Sequence, residues 1–506
     1  MSRIQNFINS RFQDAVSGET LDVVEPATGA RYTTAPASSY ADIEAAFQAA
    51  SAAFKAWSTT PPAKRSFWLN RLADAIEENL DAFAQAESKD SGKPISVAQT
   101  VDIPRAIANF RFFATAILQD ASEAYTDVSG RINFTVRHPL GVVGCISPWN
   151  LPLYLFSWKV APALAAGNCV IGKPSEVTPY TAHLLGETLE KIDFPAGVFN
   201  IVHGHGPEAG AALVAHPGIK AISFTGGTQT GRLIGEQAGR DLKKVSLELG
   251  GKNPTLVFAD ADLDEAVDGA ARAAFSNQGQ ICLCGSRILV EQSIYPQFRD
   301  ALAARVRSLH VGDPSEAMTQ VGALVSAAHR DKVLSYIQLA KDEGGHILCG
   351  GLSKIVEGRC EKGYFVAPTL LDGLPADCRT NQEEIFGPVL PIKTYKEVSE
   401  SVDYINSKDR PLGLYYFGGD DKEKDYVLNN TTSGGVTVND VISHIQMEDL
   451  PFGGVGPSGM GSYHGYDGFK EFSHAKAVYK QTRFNLMKLA GLVPPYKKKE
   501  EKANTA

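Results

Sequence analysis

Between residues 40 and 125, Ala, Ile, Phe and Leu recur three to four positions apart, through 43–57, 65–78 and 103–117. That spacing gathers apolar side chains on one side of a 3.6-residue turn and predicts three helices, each with one buried face. After Gly141 the pattern changes to short apolar runs at 142–146, 169–172, 198–202, 221–224 and 245–249. Between the last four lie stretches long enough for helices, at 179–192, 208–215 and 229–238. Alternation of this kind predicts an α/β fold, a parallel sheet covered by helices. Gly250-Gly251 then leads into a second α/β unit, from Asn253 to about Pro457, with strand-like runs at 255–258, 287–290 and 434–438 and a helical stretch at 333–343. No short-period repeat is present. From Arg483 the chain loses hydrophobic periodicity and gains charge, and beyond about Pro495 disorder is expected.

At 506 residues the chain has room for two to four domains. Acidic residues outnumber basic ones, 57 to 49, and no basic block is large enough to track a phosphate backbone, so nucleic acid is not expected as a partner. Lys159 is the single charge between Gly141 and Gly172, which raises a membrane span as a possibility. Pro148, Asn150, Pro152, Pro162 and Gly167 interrupt the run, however, and a buried core crossing several elements fits better. The first dozen residues carry no continuous apolar stretch after their charges, so no secretory signal is read there and a cytoplasmic location is expected. Seven cysteines, an odd number in a long chain, point to reduced thiols, of which at least one is a candidate for reactivity.

Four stretches could carry chemistry. FTGGTQTG, with Gly226, Gly227, Thr228 and Gly231, falls at a strand-to-helix junction, where backbone N–H groups can approach a phosphate. It is equally a tight turn with Thr228 near the N-cap. Lys173-Pro174-Ser175-Glu176 follows another strand end; a carboxylate there can accept two ribose hydroxyls and repel a ribose phosphate, or be a solvated loop acid. Cys282 follows a Gly-containing turn in NQGQICLC, and Glu248 is an acid inside an apolar strand end. Glu248 reads as a general base with a raised pKa or as an ion-paired structural acid, and Cys282 as a nucleophile or an inert buried thiol.

PWNLP, GKPSE, FTGGTQTG, LELGGKNP, NQGQICLCGSR, EEIFGP and PFGGVGPSG, in this order from about residue 20 to 480, resemble the aldehyde dehydrogenase superfamily. The resemblance implies a Rossmann-like NAD-binding domain (1–120 and 140–250) and an α/β catalytic domain (251–457). It also implies a small β extension for oligomerisation (121–139 and 471–483) and a tail (484–506). It implies an NAD-dependent oxidation of an aldehyde to an acid, through a thiohemiacetal and then a thioester on Cys282. Asn150 and the Cys282 N–H would hold the oxyanion, and Glu248 would activate water. Trp149, Lys173, Ser175, Glu176, Gly226, Gly227, Thr228, Gly231, Leu249, Glu384 and Phe386 would contact NAD. Leu151, Leu155, Trp158, Ile281, Leu283 and Phe452 would form the aldehyde's apolar tunnel. Cys284 is read as a neighbouring thiol outside the chemistry. No metal is implied, and homodimers or homotetramers are usual in the family.

Within the superfamily, DIPR at 102–105, NFRFF at 109–113 and GQICLCGSR are similar to the amino- and hydroxymuconic semialdehyde dehydrogenase branch. GLYYF, GGVTVND and GMGSYHG, after Pro411, are similar to class-three and coniferyl aldehyde dehydrogenases. The first similarity puts Arg105 in the tunnel as a clamp for a substrate carboxylate. Read as structure alone, Arg105 pairs with Asp102 or another acid. The muconic branch carries an Arg in the loop before Pro451, whereas 441–450 here offers His444 and no Arg. The second similarity suggests a neutral, coniferyl-like aldehyde instead. Two further rivals are a cofactor-free thiol esterase and a non-catalytic crystallin-like protein. The apolar residues after Arg483, ahead of Lys497-Lys498-Lys499, suggest either an amphipathic segment on an anionic membrane or, better, a docked helix with a solvated tail.

Overall fold

The computed structural model describes residues 3–126, 130–407, 410–480, 487, 490–492 and 494. The expected helices and strands are present: helices at Tyr40–Ser58, Pro62–Glu77 and Ile103–Ala116, then strands at Val142–Ile146, Cys169–Lys173, Phe199–Ile201, Ile219–Thr225 and Lys244–Glu248. These five strands pair in parallel, in the spatial order 244–219–142–169–199. The first strand in sequence is therefore central, and the chain reverses its direction of travel across the sheet after Phe199–Ile201. Such a reversal opens a crevice at the carboxyl ends of Val142–Ile146 and Ile219–Thr225. All five residues of both Val142–Ile146 and Cys169–Lys173 are buried, which is why these strands read as continuous apolar runs.

The sheet is wider than the sequence pattern suggests. Asn6–Ile8 and Arg11–Gln13 extend one edge antiparallel, and Gly459–Met460 extends the other. At 208–215 the expected helix opens as a π-helical turn, Gly206–Gly210, and only Ala211–Ala215 is α-helical. The apolar stretch after Gly141 contains the helix Pro152–Ala165, buried along its whole length with Pro162 inside it. Among the described residues no helix is long and apolar enough to cross a membrane.

A second, seven-stranded sheet has the order His346–Cys349, Thr369–Asp372, Val389–Tyr395, Gly285–Glu291, Asn253–Val257, Gly413–Phe417, Gly435–Val438. All its pairs are parallel except the first. Gly250-Gly251 joins the two sheets. A Cβ on Gly250 would collide with the Glu384 carboxylate, and one on Gly251 would press on the Leu412 backbone, so close approach and not backbone angle demands glycine here. A three-stranded sheet pairs Ser473–Val478 with Ile132–Pro139 and that strand with Ala124–Thr126. Most of the 484–506 tail, including its lysine run, lies outside the described residues.

Candidate active site

Cys282 lies in the loop between the short helix Ser276–Gly279 and the strand Gly285–Glu291. Asn277, Gln278 and Gly279 all have left-handed backbone angles, with φ of 49°, 58° and 75°. Three such residues in a row turn the chain sharply, and Asn277 and Gln278, unlike Gly279, are costly there unless held in place. Side-chain amides hold them. Gln278 Nε2 donates to Ala323 O at 3.1 Å, while its Oε1 accepts from Gly322 N–H at 3.2 Å. Asn253 Nδ2 donates to the carbonyls of Cys282 (2.7 Å) and Cys284 (3.0 Å), and its Oδ1 accepts from Gly413 N–H at 2.9 Å. Asn277 Nδ2 donates to Asn150 O at 3.0 Å, and Asn150 Nδ2 donates to Gln280 O at 2.8 Å. The Asn150 amide is thus fixed against the turn that carries the thiol. Among the described residues the Cys282 N–H donates no hydrogen bond.

The Cys282 turn meets the carboxyl end of the first sheet across a cavity of about 220 Å³. Trp149, Asn150, Glu248, Cys282, Glu384 and Phe386 are on its wall. Glu248 ends its strand fully buried, and neither carboxylate oxygen has a hydrogen-bond partner of ordinary geometry. Burial pushes its pKa up to about 7, against smaller opposing effects of the nearby Cys282 thiol and the Lys159 ammonium. Burial, with the neighbouring Glu248 carboxylate adding to it, pushes the Cys282 thiol well up, so the thiol keeps its proton at rest. Lys159 is also fully buried; its Nζ bonds Thr225 Oγ1 and lies 4.5 Å from the centre of the Tyr463 ring. Burial lowers its pKa to about 7, with Glu248 the largest opposing influence. This arrangement can hold and move one proton close to a nucleophile. Cys284 is pushed by burial to about 12 and faces Ser276 O, away from such chemistry.

The same crevice and the loops beside it carry the candidate phosphate- and ribose-binding residues. Gly227 is the N-cap of the helix Thr228–Arg240, with Thr228 the first helical residue and not the cap. A Cβ on Gly227 would meet open space, so the helix N-terminus is accessible; one on Gly231 would collide with Leu249, so that glycine lets helix and strand pack closely. Lys173, buried, donates to Pro174 O at 3.1 Å and to Glu176 at 3.2 Å. Burial pushes the Glu176 carboxyl up, but Lys173 and the residue's own backbone N–H outweigh it and hold it below the usual range. Ser175 Oγ accepts from Val177 N–H at 3.2 Å and shapes that loop. Glu384 accepts from Gly251 N–H at 3.2 Å; Trp149 packs edge-on against Phe386 at 5.3 Å and against His329 at 5.2 Å. Phe386 has φ of 61°, and His329 Nε2 bonds its carbonyl at 2.7 Å.

On the far side of Cys282, Leu151, Leu155, Trp158, Leu283 and Phe452 form one apolar cluster with the thiol, and Ile281 packs against it. Leu151 and Ile281 also line a cavity of about 550 Å³, together with Tyr154, Arg105 and Arg272; Leu155, Trp158, Leu283 and Phe452 are buried in the cluster without lining it. Arg105, in the first turn of its helix, does not pair with Asp102, which is buried against Lys93. Its Nη1 donates to Gln446 O and to Glu448, both at 2.7 Å. Lys159, Asn253, His329 and Glu448 join the site in the structure without belonging to the expected set of site residues. Lys159 had a signal, as the single charge in a long apolar stretch, and Asn253 stands inside the GGKNP motif. His329 and Glu448 had none.

Residues 12–478 match the aldehyde dehydrogenase family. The chain belongs to the aldehyde dehydrogenase family. It is similar to 2-aminomuconic semialdehyde dehydrogenase of Danio rerio, with 44% identity covering 94% of this chain and 97% of that one. It is also similar to 2-hydroxymuconic semialdehyde dehydrogenase of Pseudomonas sp. (strain CF600), 42% identical over 94% of this chain and 99% of that one. The NAD+ complex of aldehyde dehydrogenase from Bacillus cereus superposes with a TM-score of 0.91 at 36% identity, covering 94% of this chain and 96% of that one. As an aldehyde dehydrogenase the chain is an oxidoreductase acting on aldehydes. The similarity to the muconic relatives spans so much of the chain that it runs through the segment after Pro411, and a coniferyl-like substrate is not favoured.

Proposed function

We propose that this aldehyde dehydrogenase oxidises an acid-bearing semialdehyde of the muconic type to the free acid, with NAD as oxidant and Cys282 as nucleophile. The observation that carries the chemistry is the buried Cys282–Glu248 pair on one cavity wall, with Asn150 fixed beside it. Glycine at 250, where a Cβ would collide with Glu384, and the open N-terminus at Gly227 fit a dinucleotide laid across the crevice. Gly226, Gly227 and Thr228 would face its phosphates, Lys173, Ser175 and Glu176 the adenosine ribose, and Glu384 the second ribose. Trp149, Leu249 and Phe386 would pack along it. When bound there, the nicotinamide supplies a hydride acceptor.

The residues of the chain do the rest. The Cys282 thiol gives up its proton, Glu248 being the neighbouring group that can receive it, and sulfur adds to the aldehyde carbon. The second Asn150 amide hydrogen and the Cys282 N–H would meet the oxygen that becomes negative, donors already held in position. After loss of hydride the carbon is a thioester. Glu248, with a pKa of about 7, then takes a proton from water as its oxygen attacks; the C–S bond breaks and the acid leaves. Arg105 on the wall of the larger cavity would hold the acid group of the substrate.

We assign dinucleotide binding to 1–120 and 140–250 and catalysis to 251–457. Assembly into dimers or tetramers is assigned to 121–139 and 471–483, where Tyr125, Ile132 and Phe134 are exposed apolar residues on the three-stranded sheet. The test is NADH formation with an acidic semialdehyde. Cys282→Ala is expected to abolish it while NAD still binds, and Arg105→Ala to lower kcat/KM for that substrate about ten- to a hundredfold. Turnover by Cys282→Ala within tenfold of the wild type would refute the nucleophile assignment.

A further inference from the structure

The guanidinium that would receive the substrate's acid group already holds an acid. Arg105 is 8% exposed, whereas the Glu448 side chain is one-third exposed and touches it through a single oxygen at 2.7 Å. Among the described residues Glu448 is the one acid within 4 Å of Arg105. The rest of the surroundings carry little charge to take its place. Asp102 is taken by Lys93, and burial lowers the pKa of His444 to about 4 and of His464 to about 3, leaving both neutral at pH 7. Arg105 Nε, though buried, has no hydrogen-bond partner, and Nη2 is 3.4 Å from His464 Nε2. Donors are therefore present in excess, and Nη1 would keep Gln446 O if Glu448 left. Arg272, the second guanidinium on this cavity, is likewise paired with an acid of the same segment, Asp440.

We propose that Glu448 is a specificity-determining residue, an internal carboxylate that occupies Arg105 and that the acid end of a substrate must displace or share. This rests on the assignment of Arg105 to the substrate carboxylate. A bound acid either replaces the Glu448 contact, so that one charge-assisted bond is exchanged for another, or lies close to a like charge. Either way Arg105 contributes less affinity than an unpaired guanidinium would. A neutral aldehyde leaves the pair intact and loses nothing. Glu448 thus narrows the preference of the cavity for acids and keeps neutral aldehydes usable.

Glutaric semialdehyde and pentanal, of equal chain length, separate the charge from the size of the substrate. In Glu448→Gln the ratio of their kcat/KM values, acid over neutral, should rise about tenfold, mainly through a lower KM for the acid. The gain should vanish in Glu448→Gln/Arg105→Ala. Glutarate, a non-reacting dicarboxylate, should raise the melting temperature of Glu448→Gln more than that of the wild type. A ratio that falls or stays level in Glu448→Gln, while Arg105→Ala still lowers it in the wild type, would make Glu448 a mere anchor for Arg105 and overturn the proposal. A ratio indifferent to Arg105→Ala in both backgrounds would overturn the assignment of Arg105 itself, and the proposal with it.

Discussion

Glu248 shows how one residue links burial to both stability and chemistry. Its pKa of about 7 lies above the ordinary carboxylate value of 4.5, so the fold disfavours its charged form. Below pH 4.5 the group is neutral folded or unfolded, and its ionisation costs the fold nothing. As the pH rises to 7 the unfolded chain ionises first, and above 7 the folded state carries a penalty of about 3 kcal/mol. Glu248→Gln should therefore melt higher than the wild type at pH 8 and little differently at pH 4; equal differences at both would show that the carboxylate is not perturbed by burial. In the wild type, hydrolysis of the thioester should slow as the pH falls below about 7, since only the ionised carboxyl accepts a proton from water. Glu176 gives a second prediction at this scale. Glu176→Gln removes the charge that would repel a ribose phosphate and should raise kcat/KM with NADP relative to NAD at least tenfold; an unchanged ratio would place the ribose elsewhere.

Elements carry the site because turns and amides lock them together. The Cys282 loop hangs on Asn253, which satisfies two loop carbonyls and a backbone N–H from a neighbouring strand. Asn253→Ala leaves these buried groups unpaired, at about 1–3 kcal/mol each before relaxation. It should lower kcat by tenfold or more with little change in NAD affinity, and calorimetry beside turnover kinetics reads both. Much of this level was legible in the sequence. Strands buried on both faces gave continuous apolar runs, and amphipathic helices gave their spacing, as at Val142–Ile146 and Tyr40–Ser58. Asn6–Ile8 was not legible, because three residues are too few for a pattern and they pair with Phe199–Ile201 far along the chain. The Arg105–Glu448 contact was hidden for the same reason: 343 positions separate the two, and a local reading offered Asp102 first.

Over the whole molecule, the two sheets meet so that the carboxyl ends of one set of strands face the loop that carries the thiol, a placement no single motif contains. Glu248 and Cys282 stood out through the ordered set of motifs and not in isolation, and their mutual perturbation depends on both being sealed between the sheets. In the proposed reaction, oxidation passes through a covalent bond to Cys282 that Glu248 is needed to break. Intact-mass spectrometry with peptide mapping on Glu248→Gln, mixed with NAD and an acidic semialdehyde, tests it most directly. A burst of about one NADH per chain and an acyl group derived from the substrate on Cys282 are expected. No adduct during turnover, or an adduct on Cys284, would contradict it.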